Sequence, residues 1–264
     1  MARFLVSRAV CGHQSVKLVG LFIAAVVAGV LGSGAARASE TKAVLELFTS
    51  QGCSSCPPAD KLLAQYADRK DVLALSLPVD YWDYLGWKDT LASHDYSQRQ
   101  RDYATARGDG DVYTPQIVVN GRDHVVGSDR AAIDAALARE SERGLPVPIS
   151  LTSNGDATTV NIGAAAGDSA RRGTIWLVMY DRSVTVPIAR GENSGRTITY
   201  SNVVRKLRPI AMWKGDPMSI DLPKSEIDEA KVARCAVLLQ TEAEGGLPGP
   251  IIGAAAIYYG HAGQ

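Results

Sequence analysis

The segment Cys53-Ser54-Ser55-Cys56 constrains this chain more than any other, because it stands where one kind of periodicity gives way to another. Before it, Ala43-Val44-Leu45-Glu46-Leu47-Phe48 is apolar without full alternation, as in a strand covered on both faces. After it, Pro57-Pro58 opens a stretch in which Leu62, Leu63, Tyr66 and Ala67 recur at helical spacing. Val72 to Leu77 is the next strand, one crossover helix away, so the three elements predict a right-handed parallel βαβ unit with the cysteines at its first turn.

Pro78 to Thr90 is rich in aromatic residues (Tyr81, Trp82, Tyr84, Trp87), and Leu91 to Arg107 is helix-compatible and polar. Together they predict a helical insertion at about 78–110 over the cysteine face. Thr114-Pro115 precedes the strand Gln116 to Val119, and Asn120-Gly121 is the strongest hairpin signal in the chain. His124 to Val126 is the partner strand. Asp129 to Arg143 closes the half as a helix with Ala132, Ile133, Ala136 and Leu137 as its apolar stripe, giving the order β-α-β-α-β-β-α.

Gly144 to Pro148 reads as a linker, which places a domain boundary near residue 145. Beyond it the periodicity is mainly that of strands: Ile149–Leu151, Thr158–Ile162, Gly173–Asp181, Val184–Ile188, Thr197–Leu207, Lys231–Gln240 and Pro250–Tyr259. The expected fold is an α/β domain over 39–145 followed by a mainly antiparallel β-sandwich domain over 146–264.

The first 38 residues carry Arg3, Arg8 and Lys17 before an apolar run from Leu18 to Leu31, then the small-x-small triplet Ala36-Arg37-Ala38. This is the pattern of a signal peptide removed on export. Fourteen residues at ~1.5 Å rise fall short of a ~30 Å hydrocarbon core, so no stable membrane anchor is expected after processing. The leader holds four basic residues and no acidic ones, so removing it from a balance of 28 basic and 28 acidic leaves a net charge of about −4. No basic stripe with interleaved aromatics is present, which argues against nucleic acid.

With the leader gone, Cys53, Cys56 and Cys235 remain, too few for a disulfide scaffold. Cys235 lies in an apolar strand pattern and reads as a small buried hydrophobe. Zinc is disfavoured for the Cys53/Cys56 pair, since Cys235 is isolated and His94 and His124 fall in different elements with no short ligand spacing. Copper(I) suits two thiolates, but no methionine-rich run accompanies them. No metal or cofactor is therefore expected.

Two readings of the pair stay open, a structural disulfide and a redox pair. The redox reading rests on position: the pair leaves a buried strand and enters a helix, where free N–H groups and the helix dipole favour a thiolate. By order in the turn, Cys53 is expected to be the exposed attacking thiol and Cys56 the buried resolving one. Pro57 and Pro58 fit a first helical turn and shift the helix start towards Cys56, away from Cys53. Asp60, one turn beyond Cys56, is either a proton relay to that thiol or a solvated carboxylate. Arg190-Gly191-Glu192-Asn193-Ser194-Gly195-Arg196 concentrates charge between strands, as a contact surface facing the thiol domain or as a solvated loop.

Glu46 to Asp60, Val79 to Asp83, Tyr113 to Gln116 and Arg190 to Asn193 resemble DUF1223, a family of secreted bacterial proteins in the thioredoxin-like superfamily with no assigned activity. The resemblance covers essentially the whole chain after the leader. It implies a thioredoxin-like first domain, with Cys53, Cys56 and Pro115 as working residues and a cis Thr114-Pro115 bond against the disulfide. In that setting the carbonyl and N–H of Thr114 are the groups expected to dock an extended substrate. It further implies that Val79 to Trp87 and the Arg190 loop belong to the same design as the cysteines. The functional expectation is a periplasmic or secreted thiol-disulfide oxidoreductase or redox-linked protein acting on an envelope protein thiol or disulfide. The alternative is a non-catalytic module that binds envelope proteins and carries a structural disulfide.

Overall fold

The computed structural model describes residues 41–165, 172–228 and 234–258. The expected leader, residues 1–38, lies outside the described residues. The first half follows the expected order: β1 (Ala43–Thr49), α1 (Pro57–Ala67), β2 (Val72–Pro78), α2 (His94–Arg107), β3 (Gln116–Val119), β4 (Asp123–Val126) and α3 (Arg130–Arg143). β1 pairs in parallel with β2 and antiparallel with β3. Asn120 and Gly121 take φ values of 48° and 66°, the left-handed pair that a tight β3–β4 hairpin requires. The inserted segment consists of a single turn of 3-10 helix at Asp83–Leu85 followed by α2.

The second half supplies β5 (Ile149–Ser153), β6 (Ala157–Ile162), β7 (Gly173–Pro187), β8 (Thr197–Trp213), β9 (Met218–Pro223), a short α4 (Lys224–Asp228), β10 (Arg234–Glu242) and β11 (Pro248–Tyr258). Periodicity predicts that these strands close a sandwich of their own. Instead, four of them extend the first sheet, giving eight strands in the order β11-β10-β7-β8-β2-β1-β3-β4, while β5, β6 and β9 form a second, three-stranded sheet.

The join is a parallel contact between β2 and β8 at Ser76 and Val203, reinforced by the Asn202 side chain, which donates to the carbonyl of Ala74 at 2.8 Å. Such pairing covers the edge that β2 would otherwise expose. The expected linker is also bound in: Val147 is buried, and its N–H donates to the Ile252 carbonyl at 3.0 Å. The described residues form one compact unit rather than two.

Side-chain alternation assigns the faces. On one face, α2 lies over a core built from both halves, with Val44, Phe48 and Leu75 beside Val178, Val204 and Leu238. On the other, α1 and α3 cover Leu45, Leu47 and Ile117. Further along, the three-stranded sheet covers Ile175, Leu177 and Val237, forming a local two-sheet layer.

Candidate redox site

β1 ends by delivering Thr49, Ser50, Gln51 and Gly52 to a tight turn. The N–H of Cys53 donates to the Ser50 carbonyl and that of Cys56 to the Cys53 carbonyl, each at 3.2 Å. Cys56 is the N-cap of α1, with φ −76° and ψ −36°, and Pro57 and Pro58 fill the first helical turn, where no donor is needed. The Cys56 carbonyl accepts from Ala59 and Asp60 at 2.8 and 3.1 Å. The helix begins beyond Cys56, leaving Cys53 outside its first turn. Cys53 and Cys56 are joined by a disulfide.

Thr114 and Pro115 reach this turn from the opposite side. Their peptide bond is cis. The Thr114 carbonyl lies 3.5 Å from the Ser55 hydroxyl, which is itself 3.4 Å from the Cys53 sulfur. The Thr114 hydroxyl accepts from the indole N–H of Trp82 at 2.8 Å. Trp82 also backs the turn directly: a Cβ on Gly52 would stand 3.0 Å from that of Trp82, so a side chain there would have to push Trp82 back by a few tenths of an ångström. The Pro115 carbonyl accepts from Gly127 at 2.9 Å. The structure thus gathers Cys53, Cys56, Thr114 and Pro115 at one end of β1 and β3.

The aromatic segment supports this turn. Trp87 donates to the Gln51 side chain at 2.8 Å, and buried Asp89 accepts from the Gln51 backbone N–H at 2.7 Å. Tyr81 hydrogen-bonds Gln100 at 3.1 Å, while Tyr84 is exposed. His94 pairs with Asp80 at 3.1 Å rather than with its neighbour Asp95.

Cys53 differs from expectation. It is 1 % exposed, against 0 % for Cys56, although Ser54 and Ser55 between them are open to solvent. The tip of the β7–β8 hairpin is hydrogen-bonded to this turn, a contact that order within the turn could not reveal. Asn193, fully buried, donates from its Nδ2 to the carbonyls of Gln51 and Cys53 at 2.9 Å each. Glu192 Oε2 accepts from the Ser54 N–H at 3.2 Å. The charged loop around Arg190 is therefore a contact surface against the cysteine turn.

Asp60 is not a solvated carboxylate. It is 2 % exposed, accepts from the Thr49 hydroxyl at 2.8 Å, and has no partner for its second oxygen among the described residues. Burial, with a smaller push from the negative charge of Asp89, raises its pKa to about 8 despite the Thr49 hydrogen bond. Cys56 has helical dihedrals, so Asp60 four residues on shares its face of the helix. Tyr200 on β8 completes this polar cluster: burial first, then the charges of Asp60 and Asp89, hold its hydroxyl well above the usual range.

Cys235 is buried in β10, far along the sheet order from β1. Among the described residues, Asp109, Asp111 and His124 bring ligand-type atoms within 4.8 Å of one another, a cluster that sequence spacing does not show. Arg107 already neutralises Asp109 there, with Nε 2.7 Å from the carboxylate. No helix of the described residues is long and apolar enough to cross a membrane.

The model of the family described as "Protein of unknown function (DUF1223)" matches residues 44–240, which include the cysteine turn and the Glu192–Asn193 tip. The chain belongs to this family. Among solved structures, protein AGR_C_4864 from Agrobacterium tumefaciens is 40% identical, with 85% of this chain and 97% of that chain covered and a TM-score of 0.75. HBP35 of Porphyromonas gingivalis is similar in fold alone, at 12% identity over 83% of this chain and 75% of that one, with a TM-score of 0.57. No curated protein matches.

Proposed function

We propose that this DUF1223 protein is an exported thiol-disulfide oxidoreductase with a thioredoxin-like site, exchanging the Cys53–Cys56 disulfide with a thiol or disulfide of an envelope protein. The observation that supports this reading is the convergence of the disulfide, the start of α1 and the Thr114–Pro115 segment at one place. A disulfide that served only to close a four-residue turn would need no extended segment beside it.

In the oxidising direction, a substrate thiolate attacks Cys53 Sγ, forming an intermolecular disulfide and breaking the Cys53–Cys56 bond, whose electron pair passes to Cys56 Sγ, which takes up a proton. A second substrate thiolate attacks the substrate sulfur of that mixed disulfide and releases Cys53. The substrate leaves oxidised to a disulfide and the protein holds two more electrons as a dithiol; the reverse sequence reduces a substrate disulfide. Asp60, on the same helix face as Cys56, is the group to which this reading assigns the exchange of that proton.

The burial of Cys53 favours a second reading, a binding module whose disulfide is structural. Reduction potential separates them, since structural bridges lie below about −300 mV and working pairs above. In the test of the first reading, Cys56→Ala protein is incubated with envelope extract and its mixed disulfides are identified by mass spectrometry. Adducts on Cys53 that vanish in a Cys53→Ser/Cys56→Ala variant support exchange. A wild-type disulfide that stays oxidised at a periplasm-like redox poise, with no adduct on Cys53, leaves the structural reading.

A further inference from the structure

Among the described residues, β10 pairs with β7 from Gly173 to Tyr180, and the rest of β7, to Pro187, pairs with β8. Among the described residues this end of the hairpin is a two-stranded arm, a form that is marginal without support. Its anchorage is a small apolar cluster of Val186, Ile188, Tyr200 and Val203 packed with Trp87 and Leu91. The tip is closed on itself, with Ile188 and Arg196 hydrogen-bonded at 2.9 Å and Gly195 donating to Ile188 at 2.8 Å. Gly191 and Gly195, on either side of Glu192-Asn193-Ser194, take φ of 77° and 78°, which other residues rarely adopt.

The side-chain contacts from this tip to the cysteine turn end on backbone atoms of the turn. Asn193 Nδ2 holds the carbonyls of Gln51 and Cys53, Arg196 Nη1 holds Asn193 Oδ1 at 3.1 Å, and Glu192 takes the Ser54 N–H. The Glu192 contact occupies a donor next to Cys53 and sets a carboxylate beside it, an arrangement that disfavours a thiolate at Cys53.

We propose that Glu192 and Asn193 form a latch on the redox site. Asn193 is a positioning residue that keeps Cys53 covered until the hairpin tip lifts, and Glu192 biases the pair towards the disulfide. The latch rests on the exchange reading for its biological sense, but its physical content is access and equilibrium, which are measurable without a substrate.

The test uses the oxidised protein and its Asn193→Ala, Arg196→Ala and Glu192→Gln variants, with near-UV circular dichroism to establish that each is folded. Reduction by dithiothreitol in native buffer is followed by alkylation and mass spectrometry of the Cys53 peptide. Asn193→Ala is expected to be reduced at least about tenfold faster than wild type, and Arg196→Ala to a lesser extent. In glutathione buffers, where one disulfide and two glutathione thiols exchange with one dithiol and one glutathione disulfide, Glu192→Gln is expected to shift the constant roughly threefold to tenfold towards the dithiol.

Folded Asn193→Ala and Arg196→Ala reduced at the wild-type rate would overturn the latch. Should Asn193→Ala not fold, Arg196→Ala decides alone, because Arg196 is exposed and its guanidinium reaches the turn through the Asn193 side chain. An unchanged glutathione constant in Glu192→Gln removes the electrostatic bias. If the variants gain access but no envelope adduct forms on Cys53, the exchange reading fails and the latch stands; adducts with unaltered access remove the latch and keep the exchange reading.

Discussion

Arg99 on α2 and Glu46 on β1 meet at 2.7 Å with both side chains withdrawn from water, Arg99 7 % and Glu46 1 % exposed. The guanidinium also reaches Tyr103 at 2.7 Å and Gln240 of β10 at 3.0 Å, and lies 5.6 Å from the Trp176 ring centre. One charge therefore joins α2 and β1 of the first half to β7 and β10 of the second. A buried pair gains little over apolar packing when intact, but is expensive to break, because the remaining charge has no partner.

Arg99→Ala is accordingly expected to lose about 3–5 kcal/mol of stability by urea denaturation. Arg99→Ala/Glu46→Gln should recover part of this, since the stranded carboxylate is gone. A double-variant loss equal to the sum of the Arg99→Ala and Glu46→Gln single losses would show that the pair is not coupled. Both halves should unfold in one transition, as their shared core requires.

The buried carboxyl of Asp60 makes stability depend on pH. Its pKa in the folded protein is about 8, above the ordinary 3.8, so the folded state keeps a proton that the unfolded chain releases. The stabilising contribution is complete below about pH 4 and is lost as pH rises through 8, at no more than about 1.4 kcal/mol per unit. Asp60→Asn should flatten this slope between about pH 5 and 8 and be the more stable protein at about pH 8.5. Denaturation series at several pH values check the difference; an Asp60→Asn protein with an undiminished slope would refute it.

Gly127 sits where Pro115, β1 and α1 converge. An added Cβ would lie 2.8 Å from Leu47 Cδ1, 3.1 Å from Pro115 Cβ and 3.2 Å from Ala59 Cβ. Gly127→Ala should cost about 1–3 kcal/mol through overpacking. It should also alter the dithiothreitol reduction rate of the Cys53–Cys56 pair, because Pro115 and α1 cannot both keep their places. A thermal melt and that rate, measured on one sample, test both effects.

Trp82 binds Thr114 through one hydrogen bond and backs Gly52 through its Cβ. Trp82→Phe keeps the backing and removes the donor. A stability loss of about 1 kcal/mol is expected, with slower exchange at Cys53 because Thr114 is no longer held. A loss of exchange with no change in stability would place Trp82 in contact with substrate.

Much of this architecture is legible in the amino-acid sequence. The strand–turn–helix around Cys53 and Cys56, the Asn120-Gly121 hairpin and the stripe of α3 are local patterns, and local periodicity reports them. Where a pattern is weak it misleads: Gly173–Asp181 and Val184–Ile188 read as two strands, yet β7 runs unbroken to Pro187 because β8 pairs along its whole length. β9 escapes notice, since six residues after Asp216-Pro217 alternate too briefly to stand out.

Pairing partners are beyond reach for a different reason. Strand periodicity states which face of a residue is buried but not by what, so the second half looks able to close on itself. The amino-acid sequence by itself determined the cysteine turn, its helix and the strands on either side. Only the tertiary structure decided that β8 runs beside β2, since that contact joins Ser76 to Val203, far apart along the chain. The same placement brings Asn193 onto the carbonyl of Cys53, a residue that order in the turn leads one to expect exposed and that is buried in the fold.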